Sequence, residues 1–485
     1  MPRTNIPIPI TFYQSPSAPF SSQRCINWIP VVAEGPALNT AMLMQPRGIK
    51  EFTNTLVSKG RGSENLNGVA FYINGNSLIS TSSTGAITNH GAIPGVGRVS
   101  TAVSKRHLVI VIPGNSAYVF DNKTNTLSKI TDPDFITSDT VVFKDTFFVF
   151  SATGGEVFFH SELNDPLDFD ALDFGASEIS PDPIVALHVN HNELFVLNRD
   201  TIELFQNIGG SGFVFQRIQG ANIQKGCHAK HSLLQFDNSF CFVGGDKNEL
   251  SSIWKVVGSA SAQKISTDAV DDSIQEFTRE EIEKSFSMTY TERGQTLALF
   301  TFESVRIPSK TFVYNATASA LSGMKVWFEF QSGFEDNKFQ VATIMSIYGK
   351  LLVSDLNTGL IGELDKKTLS YYGTNIFRHA VTQPFSQDGT PLFVGEVEAT
   401  FESGVGLTTG NGSVPTVRMS ISDNGGRSFF GNFKRKIGRI GEYNHRTIWR
   451  QQGRIPVSRM MSFTVTDPVD ANFMKLASNA EVGSK

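Results

Sequence analysis

The chain contains little cysteine. Cys25, Cys227 and Cys241 are its three cysteines in 485 residues, and they lie far apart. Three scattered cysteines are too few for a disulfide framework, and an odd number indicates free thiols in a reducing compartment. We therefore expect the chain to be synthesised in a cytoplasm.

Long apolar runs are also missing. The first 20 residues carry five prolines and no continuous apolar stretch, so they indicate neither a secretory signal nor a membrane anchor. No later segment approaches the roughly 20 apolar residues that a membrane span needs. We predict an extended N-terminal arm over residues 1–40 and no membrane span.

The aromatic residues are mostly of one type, with 39 Phe against nine Tyr and four Trp. Phenylalanine fills cores, whereas the amphipathic rings of Tyr and Trp favour binding surfaces. The composition therefore disfavours stacking platforms for sugars.

Motifs of catalysis are absent from the sequence. It has no Walker loop, no GxSxG, no HExxH and no CxxC. Cys227, His228 and His231 lie close together but have no second ligand pair nearby, so satisfied strand residues are favoured over a metal site. We expect no enzyme activity, no cofactor and no metal.

Two further segments resemble sites without fitting them. Ser422–Phe429 is close to the Asp-box turn of sialidases but occurs once, with Asn424 in place of Asp, so a hairpin turn is the favoured interpretation. The acidic run from Glu162 to Asp173 matches no established calcium loop. Its acids alternate with Leu163, Leu167, Phe169, Leu172 and Phe174, which favours an acidic loop held down by apolar contacts.

The chain does contain a repeated hairpin pattern. Phe-rich apolar runs separated by Gly, Asn and Asp recur at roughly 40 to 60 residue intervals, with starts at Gly68, His107, Asp145, Asn192, Asn238, Thr296 and Thr343. A lone hairpin cannot bury two faces, but sheets packed around an axis can. The pattern predicts an all-β fold with a β-propeller of six or seven blades over residues 41–394. Two irregular sandwiches are the alternative.

The last hairpin, near Thr343, has no obvious partner of its own. We expect it to pair with the N-terminal segment around Ile49 to Val57 and so close the circle.

Two regions depart from this pattern. Residues 266–288 have apolar residues at nearly helical spacing and Thr278 ahead of Glu280 and Glu281, which predicts a short helical insertion with Thr278 as a helix N-cap. From residue 395 to residue 485, short alternating strands predict a separate β-sandwich.

Charge is distributed unevenly. The formal net charge is −4, yet nine basic residues and a single acid, Glu442, lie between Arg427 and Arg459. In the strand RTIWRQ, Arg446 and Arg450 share one face and Trp449 the other, so Trp449 is expected in the core with the arginines outward. We predict a partner interface, contacting an acidic neighbour, at Arg435, Arg439, Arg446, Arg450 and Arg454. A phosphate-contacting patch and a solvated face are the alternatives.

Ordered segments over nearly the whole chain resemble one known family, the packaged-DNA stabilisation proteins, or tail hub (nozzle) proteins, of short-tailed bacteriophages. These segments are NWIPV (Asn27–Val31), QPRGIKEF (Gln45–Phe52), GVGRVSTA (Gly95–Ala102), Phe158–Leu187, TIELFQNIG (Thr201–Gly209), Gln224–Gly226, the 266–288 region with the following TFVYNA, the strand at Trp327, GLIGELD (Gly359–Asp365) and RTIWRQQGRI (Arg446–Ile455). The turn DNGGRSFF and the loop GLTTGNGS look particular to this chain.

The resemblance implies a structural protein of the virion tail, made in the cytoplasm of a bacterial host. It implies a homohexameric ring below the portal and head-to-tail adaptor that retains packaged DNA and lets viral DNA pass without sequence-specific binding. It further implies attachment of a tail needle or plug and of tailspikes or fibres. The alternative is a glycan-binding or sialidase-like propeller acting as a tail enzyme, which repeated Asp-boxes would indicate.

Overall fold

A computed structural model describes residues 3–258, 261–386 and 390–482. Most of this chain forms antiparallel β-sheets, and residues 48–375 contain seven units of four or more strands.

The first three units follow one another along the chain. Their strands are β7 (Gly60–Leu66), β8 (Val69–Asn74), β9 (Ser77–Thr81) and β10 (Ile87–Ala92); β11 (Ser100–Val103), β12 (His107–Val111), β13 (Ala117–Asp121) and β14 (Thr126–Lys129); and β15 (Ser138–Lys144), β16 (Phe147–Ala152), β17 (Val157–His160) and β18 (Phe174–Ala176).

The fourth, fifth and sixth units continue this order. Their strands are β19 (Ile184–Asn190), β20 (Glu193–Asn198), β21 (Ile202–Asn207) and β22 (Phe215–Ile223); β23 (Gly226–Cys227), β24 (Leu234–Phe236), β25 (Ser239–Gly245), β26 (Ser252–Val257) and β27 (Ser261–Lys264); and β28 (Phe286–Glu292), β29 (Gln295–Phe302), β30 (Lys310–Asn315) and β31 (Trp327–Phe330).

The seventh unit combines strands from distant parts of the chain. It consists of β32 (Val341–Ile347), β33 (Lys350–Asp355), β34 (Leu360–Asp365) and β6 (Gly48–Asn54), with β35 (Ser370–Tyr371) and β36 (Thr374–Asn375) attached to β6. Strand β6 runs antiparallel to β34, with Gly48 opposite Asp365 and Asn54 opposite Leu360. The expected pairing of this N-terminal segment with the last hairpin is confirmed.

The seven units form a closed circle. Strand β7 contacts β11, β11 contacts β15 and β15 contacts β19, while β20 contacts β23, β24 contacts β28, β28 contacts β32 and β32 contacts β7 again. Sheets that pack face to face around an axis in this way form a β-propeller.

Burial follows from this packing. Because each sheet is covered on both faces, its second strand is a nearly continuous apolar run and does not alternate. All five residues of β12 and all seven of β25 are buried. Hydrophobic clusters lie between successive sheets, and phenylalanines contribute to each of the first five: Phe120, Phe150, Phe158, Phe242 and Phe300.

Two-residue turns join the first and second strands of several sheets. Both residues have positive φ in Asn67-Gly68, Asp145-Thr146, Asp237-Asn238, Arg293-Gly294 and Tyr348-Gly349. This is the turn geometry that matches the twist of paired antiparallel strands. Five of the seven units therefore share the same local hairpin.

Two short helices lie between the fifth and sixth sheets, as predicted for residues 266–288. They are α1 (Asp268–Gln275) and α2 (Arg279–Glu283). Thr278 caps α2 and exchanges hydrogen bonds with Glu281, which forms a capping box. A third helix, α3 (Ala316–Ser322), follows β30 and was not predicted.

The remaining strands form a β-sandwich. One sheet contains, in spatial order, β4 (Ile29–Val32), β5 (Ala41–Met44), β44 (Phe473–Val482), β39 (Leu392–Phe401) and β42 (Thr447–Ile455), with β1 (Arg3–Ile6) paired to β44. The other contains β3 (Ser22–Ile26), β37 (Arg378–Val381), β43 (Ser458–Val465), β40 (Thr416–Ser422) and β41 (Phe430–Lys436), with β2 (Tyr13–Gln14) on β3 and β38 (Phe385–Ser386) on β43.

Strands of the N-terminal segment therefore complete both sheets of the sandwich. The division of the chain into an arm (1–40), a propeller (41–394) and a sandwich (395–485) stays a prediction. The strand pairing favours a different division, in which residues 3–44 and 378–482 form the sandwich and residues 48–375 form the propeller.

The sandwich and the propeller share one continuous sheet. Strand β3 runs parallel to β31, with Ile26 opposite Glu329. Buried Glu329 accepts hydrogen bonds from Arg24 at 2.6 and 3.0 Å, and the side-chain amide of Asn27 donates to the carbonyls of Gln331 and Phe377 at 2.9 and 2.8 Å. Because these buried polar groups satisfy one another, the joint between the two domains is specific as well as apolar.

Candidate interaction surface

The predicted basic interface lies at one edge of the sandwich. Strand β41 is the outer strand of one sheet and β42 the outer strand of the other, and the two contact each other. All five predicted arginines are exposed: Arg435, Arg439, Arg446, Arg450 and Arg454. The structure therefore brings them to the same region, on two strands and the loop between them.

Trp449 holds this edge together. It is fully buried, as predicted, and its indole Nε1 donates a hydrogen bond to the carbonyl of Phe433 at 2.7 Å. Thr447 on the same face donates to the carbonyl of Lys436 at 3.0 Å. These bonds from β42 satisfy carbonyls of β41, so the two edge strands close against each other and present their remaining side chains to solvent.

Two of the five arginines are already paired. Arg446 donates two hydrogen bonds to Glu398 at 2.7 and 2.8 Å, and Arg450 lies 3.9 Å from Glu396. Arg3 contacts the same two glutamates at 2.6 and 3.1 Å. The hydrogen bonds from Arg446 hold the pKa of the Glu398 carboxyl below its usual value. Much of the charge of these arginines is therefore neutralised within the chain.

The basic side chains of β41 and of the loop after it, and that of Arg454, have no acidic partner among the described residues, whereas Arg459 is paired with Asp423. Arg435 donates to the carbonyls of Ile448 and Lys434, and no ion pair within 3–258, 261–386 and 390–482 involves Lys434, Lys436, Arg439 or Arg454. Their positive charge faces solvent. The electrostatic part of the surface is thus carried by β41 and the loop after it more than by β42.

Exposed apolar side chains lie among these cations, and the sequence reasoning did not find them. Tyr443 is 73% exposed, Ile440 56% and Phe430 52%, with Phe429 and Phe433 also exposed. Clustered exposed aromatic residues next to arginines are typical of protein interfaces. The sequence signal that could have found them is the segment FFGNFKRK, in which apolar and polar residues do not alternate as they do in a half-buried strand. Every residue of this segment is exposed in the structure. We call the exposed residues 429–446 the basic edge.

The acidic segment of the third sheet differs from its prediction. Phe169 is buried, but Leu163, Leu167, Leu172 and Phe174 are exposed, with Leu172 at 78%. The expectation that apolar contacts hold this loop down is therefore wrong for four of its five apolar residues. The reason is geometric, because residues 161–173 lie between β17 and β18 and outside the sheet, where Phe169 anchors them. Phe174 begins the outer strand β18 and is also largely exposed. We call residues 162–174 the acidic loop.

The segment Ser422–Phe429 is a hairpin turn, as favoured. Ser422 donates to Asn424 at 2.8 Å and accepts from the amide of Gly426 at 2.9 Å, and Asn424 donates to Ser428 at 2.7 Å. The polar groups of this segment are used in joining β40 to β41.

The side chains of Cys227 and His228 make hydrogen bonds within the folded chain. The Cys227 thiol lies 3.3 Å from the carbonyl of Ala229, and burial raises its pKa to about 12. Burial lowers the pKa of His231 to about 3. In the described parts of the chain, no three His, Cys, Asp or Glu side chains are placed to hold a metal ion.

A cavity of about 600 Å³ lies between sheets three to five and α2. Its wall contains His228, whose Nδ1 lies 2.7 Å from the Ser251 hydroxyl. No carboxylate within the described ranges hydrogen-bonds the other ring nitrogen, and Lys230 is paired with Asp139 at 2.8 Å. A serine–histidine–carboxylate arrangement is therefore not formed.

Comparison with known families identifies the chain. A family model described as the β-propeller of bacteriophage P22 Gp10 matches residues 4–369, and a second, described as its β-sandwich, matches residues 378–481. The chain belongs to the bacteriophage P22 Gp10 family. The two models cover the propeller and the sandwich, and the first also covers residues 4–44, whose strands join the sandwich sheets.

Membership of the Gp10 family makes the chain a structural tail-hub and packaged-DNA stabilisation protein of the phage virion tail. A tail hub contacts other virion components, and the exposed basic edge and acidic loop are surfaces available for such contacts. None of the three helices in the described ranges is long and apolar enough to cross a bilayer.

Solved structures show only a general likeness. They include PorZ, a surface component of the type-IX secretion system of Porphyromonas gingivalis, at 10% identity and a TM-score of 0.39, covering 72% of this chain and 44% of PorZ. The N-terminal domain of Nup159 has 11% identity and a TM-score of 0.38, covering 71% and 99%. The designed protein Ika8 has 12% identity and a TM-score of 0.35, covering 65% and 100%. No curated protein matched the chain.

Proposed function

We propose that this chain assembles into a homohexameric ring below the portal and head-to-tail adaptor. The ring continues the DNA channel, retains the packaged genome, and attaches a tail needle or plug below and tailspikes or fibres at its side. The observation that carries the proposal is the match of both Gp10 domains, which together span residues 4–369 and 378–481.

The charge of the chain supports a conduit for DNA. The chain has 42 basic and 46 acidic residues. Nine of the basic residues and one of the acidic residues lie between Arg427 and Arg459, so the rest of the chain has 33 basic and 45 acidic residues. Lys and Arg contacts to phosphates bind DNA strongly and in a salt-dependent way. A body with net negative charge would instead let a duplex pass without holding it.

The joint between the domains suits a protein that has to resist mechanical force. The shared sheet at Ile26 and Glu329 and the buried pair of Glu329 with Arg24 connect the propeller and the sandwich directly. A ring that holds DNA under pressure needs rigid subunits. The role is mechanical, and we propose that the protein is not an enzyme.

Native mass spectrometry tests the assembly. The purified chain of 53.1 kDa should give a hexamer, or should form one when mixed with portals that carry the adaptor. A chain that stays monomeric in both conditions would refute the ring.

A particle assay tests DNA retention. Heads filled with DNA and loaded with adaptor should lose their genome on dilution, and addition of this chain should prevent the loss. A variant that folds but does not assemble is the matched control, because it supplies the same protein without a ring. Equal DNA loss with and without the wild-type chain would contradict the retention role.

A further inference from the structure

The chain carries two exposed surfaces of opposite charge, each rich in exposed apolar side chains. One is the acidic loop (162–174) of the propeller and the other is the basic edge (429–446) of the sandwich. We infer that the basic edge of one copy docks on the acidic loop of a second copy. This inference rests on the proposed ring and assigns the surfaces that build it.

The acidic loop has charge of one sign. From Ser161 to Leu187 the sequence contains no Lys, Arg or His, while Glu162, Asp165, Asp168 and Asp170 are exposed. Their charges alternate with the exposed Leu163, Leu167, Leu172 and Phe174. Exposed apolar side chains are unfavourable in water. A segment that combines them with acidic residues is therefore suited to a partner surface that is basic and apolar.

The loop also has a fixed shape. The carboxylate of Asp165 accepts from the amide of Leu167 at 3.0 Å, and Asp170 accepts from the amide of Leu172 at 2.9 Å. Phe169 anchors the middle of the loop in the cluster between the second and third sheets. Because the loop is already ordered, little conformational entropy is lost when it binds.

The basic edge has matching properties. Between Arg427 and Arg446 the chain has six basic residues and one acid, Glu442, whose carboxylate accepts a hydrogen bond from the backbone amide of Arg439 at 2.8 Å. The loop after β41 is held by a hydrogen bond from Ser403 to the carbonyl of Tyr443 at 2.7 Å. The unpaired cations and exposed aromatic rings are thus presented by a fixed backbone.

Protection of a sheet edge explains only part of this surface. Lysine and arginine on an edge strand prevent pairing with other strands, which accounts for Lys434, Arg435 and Lys436. It does not account for the exposed Phe430 and Tyr443 beside them, because apolar residues would weaken that protection. An apolar and basic surface that is built to be covered accounts for both.

The partner that fits is another copy of the chain. Two basic edges facing each other, or two acidic loops, would place like charges in contact and repel. A contact of the basic edge of one copy with the acidic loop of the next, made in one direction only, is heterologous and repeats from copy to copy until a ring closes. The charge pattern therefore disfavours contacts between like surfaces, and within the proposed ring it fits a head-to-tail contact.

Charge reversal on each surface tests the contact. The loop variant carries Glu162→Lys and Asp168→Lys, and the edge variant carries Lys434→Glu and Arg439→Glu. None of these four side chains makes a hydrogen bond or ion pair in the described structure, so folding should be retained. The control variant carries Asp272→Lys and Glu335→Lys, two exposed acids elsewhere on the chain.

Ring formation is measured by native mass spectrometry and sedimentation, with circular dichroism and thermal unfolding to confirm the fold of each variant. We expect the loop and edge variants each to need at least a tenfold higher concentration to form a ring, while the control equals wild type. Mixed one to one, the two variants should form an alternating ring, because each positive loop then meets a negative edge and each negative loop a positive edge.

The outcomes separate the inference from the proposed function. A wild-type ring that both reversals leave unchanged, or a mixture that fails to recover while each variant is folded, would overturn the assigned surfaces and leave the ring intact. A wild-type chain that forms no ring under any condition would overturn the proposed assembly itself.

Discussion

The strand that closes the propeller offers the sharpest test of the fold. Ile49 lies in β6, is fully buried, and belongs to the cluster that joins the last propeller sheets to the sandwich. The change Ile49→Ala removes three side-chain carbons at about 0.8 kcal/mol each and leaves a cavity, so the cost should be about 3–4 kcal/mol.

Hydrogen exchange locates this effect. If β6 closes the circle, the lost stability opens the seventh sheet first, and amides of β6 and β34 should exchange roughly a hundredfold faster, since about 1.4 kcal/mol corresponds to one factor of ten. Amides of β21, on the far side of the circle, should change less. The neighbouring exposed Lys50 gives the control, because Lys50→Ala should cost under about 0.5 kcal/mol.

The reasoning would be refuted by a change of less than tenfold in the exchange of β34 amides in Ile49→Ala. That result would mean that β34 is equally protected without a well-packed β6, and the circle would have to be closed by other contacts.

Three further changes test particular contacts. Gly362→Ala should destabilise the seventh sheet by about 1–3 kcal/mol in urea unfolding, because a Cβ there would lie 2.4 Å from a methyl carbon of Ile49. Trp449→Phe should cost about 1–3 kcal/mol and speed exchange in β41, since the carbonyl of Phe433 loses its hydrogen-bond donor and a smaller ring replaces the buried indole. Glu398→Gln should lower stability at neutral pH and reduce its loss in acid, because Arg446 lowers the pKa of Glu398 in the folded chain. That stabilisation is present above the usual pKa of 4.5 and is lost as the pH falls through the folded value.

Each of these has a control. Gly155→Ala should be nearly neutral, since the atom closest to its Cβ would be a backbone nitrogen at 3.9 Å. An equal effect at Gly155 and Gly362 would contradict the steric argument. Unchanged exchange in β41 for Trp449→Phe, or an unchanged acid profile for Glu398→Gln, would show that those contacts do not stabilise the edge.

Local signals made most of the propeller predictable. The Phe-rich runs and the turns at Asn67-Gly68 and Tyr348-Gly349 determine hairpins within a few residues of sequence. Thr278 and Glu281 form a capping box that can be read directly from the residue types. The fold class followed because such hairpins have few ways of burying both faces.

Contacts between distant parts of the chain were not predictable in the same way. Arg3 lies opposite Asn479 in the first sheet of the sandwich, and no local pattern specifies a pairing across so many residues. The prolines of the N-terminal segment indicated an extended arm, and an extended segment has the same composition whether or not it joins a sheet. Helix α3 was missed although Asn315 and Gly323 cap it, because seven residues give too little periodicity to detect.

The residues that the sequence reasoning missed in the candidate surface are exposed apolar side chains. Trp449 was expected in the core with Arg446 and Arg450 outward, and the structure agrees because a strand alternates its faces. The exposed Leu172 and Tyr443 were not found, since apolar residues are expected inside and only the structure shows that the short β17–β18 pair and the edge strand β41 leave them in solvent.

The central claim is that this Gp10-family chain forms a ring in the phage tail. Electron microscopy of the purified chain bound to portals that carry the adaptor tests it most directly. The account predicts a six-fold ring with an open central channel, coaxial with the portal and wide enough for a DNA duplex. Portals without added density, or chains attached singly and without a closed ring, would contradict it.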